Sequence, residues 1–251
     1  MTYHSPFAMS PSSAYPSLPP PINIPLSTEP EQPCPYLPNR CIRTRYFAAT
    51  AFPPDLYHHF MDSNFRRSGL IFYQPVCRNC RACMQIRVAV DQFKPTKSQR
   101  RCHRRNQNLN ITVVDDPTPT DEKFALYQRY LTQRHAGHAH DDRDRFESFL
   151  YTSPVKTIEI CYRTPGGDLI AVGLCDLSSR ALSSVYFYFA PNELRRSLGT
   201  FSILHEIALT RKLNRPHYYL GYWIKDCPSM EYKSNFHPAE VLHPDGRWQP
   251  A

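Results

Sequence analysis

The chain reads as an α+β protein: a small N-terminal α/β domain with a cysteine cluster, followed by a domain built on a splayed, mostly antiparallel sheet. Three observations predict this. Short strand-like runs surround one short helical run up to residue 114. A Pro-Gly-Gly-Asp hairpin signal at Pro165 to Asp168 joins two runs of β-formers. The long helical run at 198–213 stands between two aromatic strands, one at 183–190 and one opening at Tyr218. With 251 residues, 41% hydrophobic and 13% aromatic, the chain can bury a sizeable core.

Residues 1–32 form a Pro/Ser-rich lead, expected to be disordered or to run as an extended arm. Eleven of the 25 prolines fall in the first 38 residues, a density that helices and ladders do not tolerate. The first domain, 33–114, holds a helix at 54–64 with Pro54 at its start and strands at 41–48, 70–73 and 84–90. The run DDPTPT then marks a boundary, and Thr120 can cap the next helix. That helix carries Phe124, Tyr127, Tyr130 and Leu131 on one face. A second helix at 142–150 follows a loop with His135, His138 and His140. The second domain, 115–251, adds strands at 155–162, 169–177 and 183–190, then the long helix and the Tyr218 strand. Two helices, three strands, a helix and a strand is the layout of a GNAT-type acyltransferase half. Such a sheet opens between the strand before the long helix and the strand after it.

The net charge of +8 is concentrated. Arg40 to Arg105 holds fourteen Lys and Arg against three Asp and Glu, leaving sixteen against nineteen elsewhere. Such a block is the electrostatic footprint of a polyanion-binding face. No apolar run approaches the ~20 residues of a membrane span, and no secretory leader is visible. With nine cysteines, three of them closely spaced, the expected setting is reducing and cytoplasmic.

Several motifs can carry chemistry. Arg195-Arg196-Ser197-Leu198-Gly199 before the long helix aims free N–H groups and the helix dipole at an anion, although Phe201 fits a pyrophosphate loop poorly. Cys77, Cys80 and Cys83 form C-x2-C-x2-C, with Cys34 upstream, so zinc, an iron–sulfur cluster and plain reduced thiols all stay open. Arg66-Arg67 suits a carboxylate or phosphate. Lys97, Arg100, Arg101, Arg104 and Arg105 suit an RNA backbone or a solvated helix face. Gly221, inside the strand that precedes the Tyr, Lys, Phe and His of 222–237, marks close approach of a backbone or ligand. His205 and Glu206 lie within the long helix. No Ser/His/Asp set, HExxH or Walker loop is present.

CPYLPNR at Cys34, FRRSG at Phe65, the C-x2-C-x2-C and KSQRR at Lys97 resemble the N-terminal domain of the arginyl-tRNA–protein transferase family. SSVYFYFAPNELRRSLGTFSILHEI and YYLGYWIKDCPSMEYKSNFHPAE resemble its C-terminal domain. Size and motif style are similar to its bacterial branch, the aspartate/glutamate leucyltransferases. The resemblance implies transfer of Leu from Leu-tRNA onto proteins with N-terminal Asp or Glu, which destabilises them. No required cofactor and no membrane are expected. Arg66 and Arg67 would then hold the acidic side chain, and Tyr186, Tyr188, Tyr222 and Lys233 would line the transfer site. Arg196 and Gly199 would lie near the tRNA 3′ end, and Lys97 to Arg105 on tRNA phosphates. Eukaryotic members, which use Arg-tRNA, pair a C-x-x-C with a later Cys-Cys; here Leu37 and Arg81 interrupt both pairs, leaving Cys34 with Cys77, Cys80 and Cys83. Arg-tRNA as donor, an acetyl-CoA-dependent acetyltransferase and a non-catalytic metal-containing RNA-binding module are the alternatives.

Overall fold

The structure is a computed structural model describing residues 23–134 and 142–251. The elements in order are β1 (Ser27–Thr28), β2 (Gln32–Pro33), β3 (Cys41–Ile42), β4 (Thr44–Ala48), α1 (Pro54–Asp62), β5 (Arg66–Ser68), β6 (Ile71–Pro75) and β7 (Met84–Ala89). Next come α2 (Lys97–Arg105), β8 (Asn110–Val114), α3 (Asp121–Arg134), α4 (Arg143–Phe146) running into a π-helical turn (Glu147–Tyr151), β9 (Thr157–Arg163), β10 (Leu169–Leu177) and β11 (Ala181–Phe189). A 3-10 turn (Pro191–Arg196), α5 (Leu198–Lys212), β12 (His217–Trp223), α6 (Pro228–Glu231), a 3-10 turn (Tyr232–Asn235), β13 (Ala239–Leu242) and β14 (Trp248–Pro250) complete the chain.

An eight-stranded sheet in the order β14-β13-β7-β12-β11-β10-β9-β8 forms the body. Every neighbouring pair in it is antiparallel except β11 and β12. Those two run parallel and pair only at Ala181–Ser183 with His217–Tyr219. β11 then continues to Phe189 and β12 to Trp223 without further pairing, so the sheet is splayed as expected.

The boundary expected at residue 114 runs through this sheet. β7 lies between β12 and β13, and β8 pairs with β9 at the edge. The reason is backbone accounting: buried β12 needs ladder partners, and β7 supplies them along its length. The folded part also begins before residue 33. β1 pairs with β4, while Ile24 and Leu26 pack on a phenylalanine cluster that anchors the end of the lead. The His135, His138 and His140 loop and residues 1–22 lie outside the described residues.

A four-stranded sheet, β1-β4-β6-β5, packs beside the body. Its core is Phe47, Phe60, Phe65 and Phe72, with Phe47 and Phe72 stacked at 4.9 Å, and it joins the body through Tyr219, Ala181 and Val155. One ion pair fastens the two. Arg67 on β5 donates Nε and Nη2 to the two carboxylate oxygens of Asp176 on β10, both at 2.7 Å. Tyr57 and Thr157 hydroxyls donate to the same carboxylate at 2.9 and 2.7 Å. Both partners are buried, so removing either strands a charge in the core. Asp176→Ala is therefore expected to destabilise the protein by ~3–5 kcal/mol in urea unfolding; a change below ~1 kcal/mol would show that the pair does not hold the sheets together.

Candidate active site

Between the diverging strands lies a cleft of about 950 Å³, walled by β5, β11, β12, the start of α5 and the 3-10 turn at Tyr232. Arg66 enters it from β5. Its Nη1 donates to Ser183 Oγ at 2.9 Å and its Nη2 to the Ser184 carbonyl at 2.5 Å. Among the described residues no carboxylate pairs with it. Gly221 lies opposite, with φ +82°, and a Cβ there would sit 3.2 Å from the guanidinium. A glycine inside this strand is thus required by close approach, and the approaching group is an arginine side chain.

Lys233, from the turn after α6, lines the cleft with Arg66 and donates Nζ to the Tyr222 carbonyl at 2.6 Å. Burial, then the Arg66 charge, bring its pKa down to about 7, against a smaller opposing effect of Cys227. Tyr222 also lines the cleft and is fixed by donating its hydroxyl to the Asn64 carbonyl at 2.9 Å. Tyr186 forms part of the wall, edge-on to Phe149 at 5.2 Å. At the far end Leu198, Gly199 and Thr200 open α5 beside the cleft, and Ser197 provides no side-chain cap. First-turn N–H groups of a helix so placed suit an anion or a developing oxyanion.

Three expected site residues are placed elsewhere. Arg67 contributes to the wall, but its guanidinium is committed to Asp176, because consecutive residues of a strand face opposite ways. Tyr188 is wholly buried beneath α3, its ring 5.5 Å from Tyr127 and its hydroxyl 3.3 Å from that of Tyr151. Arg196 does not line the cleft; it donates to Glu193 at 2.7 Å and to Asn108 at 3.2 Å.

The run from Lys97 to Arg105 forms α2, opened by a capping box of Thr96 and Gln99. Lys97, Arg100, Arg101, Arg104 and Arg105 are exposed, while Cys102 and Gln99 are buried. Asn106 donates to the Arg196 carbonyl at 2.8 Å, tying α2 to the turn that leads into α5.

Cys83 has its thiol pushed up to about 12 by burial, then by Cys77, Cys80, Cys34 and Cys227. These thiols share one neighbourhood, including Cys227, which spacing did not suggest. Yet among the described residues no three His, Cys, Asp or Glu converge as a metal-ligand set.

Sequence reasoning passed over Ser183 and Ser184, the partners of Arg66, for which a small polar pair opening an aromatic strand was the available signal. It also treated Glu206 too lightly. This carboxyl is buried in α5, accepts from the Ser202 and Tyr218 hydroxyls, and has its pKa raised by burial.

The sheet is splayed, and a helix N-terminus stands at its opening. Models of the arginine-tRNA-protein transferase N terminus and C terminus match residues 32–101 and 122–243. An aspartate/glutamate leucyltransferase of Stenotrophomonas maltophilia (strain K279a) is 43% identical over 199 residues, 76% of this chain and 78% of the relative. One of Agrobacterium fabrum is 39% identical over 230 residues, 86% and 90% of the two chains. Among solved structures, the C-terminal domain of a putative lysylphosphatidylglycerol synthetase from Agrobacterium fabrum superposes with a TM-score of 0.49 at 16% identity, covering 82% of this chain and 65% of that one. The chain belongs to the arginine-tRNA-protein transferase family and is an aminoacyltransferase.

Because a Cβ on Gly221 would press on Arg66, Gly221→Ala is expected to lower kcat/KM for aminoacyl transfer by at least about tenfold and to cost ~1–2 kcal/mol of stability. Full activity in a folded Gly221→Ala variant would show that the guanidinium position does not matter.

Proposed function

We propose that this enzyme moves leucine from Leu-tRNA to the α-amine of proteins with N-terminal Asp or Glu, giving them a destabilising N-terminus in the cytoplasm. The observation that carries this reading is the Arg66 guanidinium, nearly buried, without a carboxylate partner among the described residues, in a cleft that no described Asp or Glu lines. Such a cation is matched by an acidic side chain and left unpaired by a neutral one, which is how strong selectivity arises. The names of the relatives in two genera support the same donor and acceptors.

In the proposed reaction the acceptor α-amine attacks the ester carbonyl carbon of the aminoacyl-tRNA. A C–N bond forms, the ester C–O bond breaks, and the amine proton ends on the released ribose hydroxyl. Neutral Lys233 takes that proton as the ammonium forms, and the first turn of α5 offers N–H donors to the oxyanion. An α-amine with pKa near 7.7–8.0 is already roughly a tenth neutral at pH 7, so a base gains only about tenfold there. Positioning between the walls contributes more, up to ~7–11 kcal/mol. The ester is already activated, so transfer as proposed uses no metal or cofactor. The exposed arginines of α2 would hold tRNA phosphates.

The test is transfer to peptides beginning with Asp, Glu, Asn, Lys and Ala, with Leu-tRNA and Arg-tRNA offered separately. Leu on Asp and Glu alone is expected; Arg in its place would overturn the donor, and no transfer from either would overturn the reading. In the same assay Lys233→Met should lose at least about tenfold in kcat and lose the ionisation near 7 from the rate profile, leaving that of the acceptor amine. Stability should move the other way. With a folded pKa near 7, below the ordinary 10.5, the lysine's cost is full below pH 7 and fades as pH rises toward 10.5. The stability of Lys233→Met relative to the wild type should thus be higher at pH 6 than at pH 10 by ~3–5 kcal/mol, whatever the constant cost of losing the bond to the Tyr222 carbonyl; a difference independent of pH would refute the shifted lysine. For α2, replacing Arg101 and Arg104 by Ala should flatten the slope of log affinity for tRNA against log salt by roughly 0.7–0.9 per residue. An unchanged slope would take α2 off the tRNA.

A further inference from the structure

A second recess, of about 640 Å³, adjoins the cleft and shares Ser68, Phe149 and Tyr186 with it. Its remaining wall comes from three separate segments: Leu70 and Ile71 after β5, Tyr127 and Leu131 of α3, and the π-helical turn with Ser148. Apart from Arg145, which is exposed, no charged side chain lines it among the described residues.

The wall is held rigidly. Gly69 has φ +56°, and a Cβ there would lie 2.7 Å from the Ser148 carbonyl, so the β5–β6 turn abuts the π-helical turn directly. The Gly69 carbonyl accepts from Arg67 Nη1 at 2.9 Å, and Arg67 is itself locked to Asp176. A π-helical turn is a costly local conformation that recurs at functional sites, and this one sets Phe149 into the shared wall.

The two compartments differ in chemistry. The cleft sets Arg66 and Lys233 among aromatic and aliphatic walls and suits the acidic acceptor; the recess sets Leu70, Ile71, Tyr127, Leu131, Phe149 and Tyr186 beside small polar groups, with the exposed Arg145 as its one charged side chain among the described residues. An arginyl side chain there would be desolvated with no described carboxylate to pair with, whereas an aliphatic one would be buried at a gain. We propose that the recess receives the aliphatic side chain of the donor aminoacyl group, while the acceptor's acidic side chain stays on the Arg66 side of Tyr186 and Phe149. This rests on the transfer reading above and assigns the donor-specificity residues within it, chiefly Ile71, Leu131 and Phe149.

The test uses one tRNA charged in turn with Leu, Met, Ala and Arg, so that tRNA contacts stay constant, and Asp- and Asn-initiated peptides as acceptors. Wild type should prefer Leu over Ala by at least about 100-fold. Leu131→Ala should reduce that preference at least tenfold. Ile71→Glu, at a site 36% exposed and therefore tolerant, should lower transfer of Leu at least tenfold and raise that of Arg. Both should keep the Asp-over-Asn preference within about twofold. Folded variants, checked by thermal melts, that keep the Leu:Ala:Arg ratios would overturn the assignment, as would variants that change the acceptor preference. Should Leu131→Ala fail to fold, Ile71→Glu decides alone. No transfer by wild type from any charged form would instead refute the transfer reading itself.

Discussion

Where β11 and β12 part at Ser184, backbone groups lose the partners that a continuous ladder would give them. The carbonyl of Ser184 is taken by Arg66, and the carbonyl of Tyr222, on the opposite strand, by Lys233. An arginine and a lysine are therefore held in the opening by backbone carbonyls before any substrate arrives. That is preorganisation in a concrete form: the groups needed to meet an acidic acceptor are held by bonds the open sheet itself requires.

The neighbouring arginines of β5 divide two tasks by strand parity. Arg66 turns toward the opening and Arg67 toward Asp176, and only the second is a buried ion pair. Such pairs are weak evidence for net stability but severe when broken, because desolvation offsets most of the attraction. Here the pair fixes register between two sheets and, through the Gly69 carbonyl, the turn against Ser148. One dipeptide thus ties the cleft to the packing of the whole first sheet.

How much of this was legible in the sequence depends on the range of the signal. β9 through β12 with α5 were visible because each has its own local mark: a Pro-Gly-Gly-Asp turn, aromatic runs and a long helical face. Gly221 announced a close approach without saying by what. The place of β7 was invisible, since a strand of mixed polarity says nothing of pairing with a strand 130 residues later. Tyr186 and Tyr188 share parity, and only the position of α3 over the sheet separates wall from core. Arg66 and Arg67 read alike because their fates are set by Ser183, Ser184 and Asp176, more than 100 residues away. The apolar recess, assembled from three segments, has no single motif at all.

Arg66 and Lys233 are not interchangeable in this opening. Two charged cations side by side in a poorly solvated cleft repel, and the weaker acid of the two keeps its proton. Arginine does not give up its proton in proteins, so it is the lysine that yields, brought down to about 7 by burial first and by the Arg66 charge second. The result is a permanent positive charge beside an amine that can be neutral at physiological pH. An arginine at 233 would supply charge but no base; a lysine at 66 would lose the planar fork that spans Ser183 and Ser184. The chemistry of the cleft therefore follows from which cation stands on which side of the open sheet.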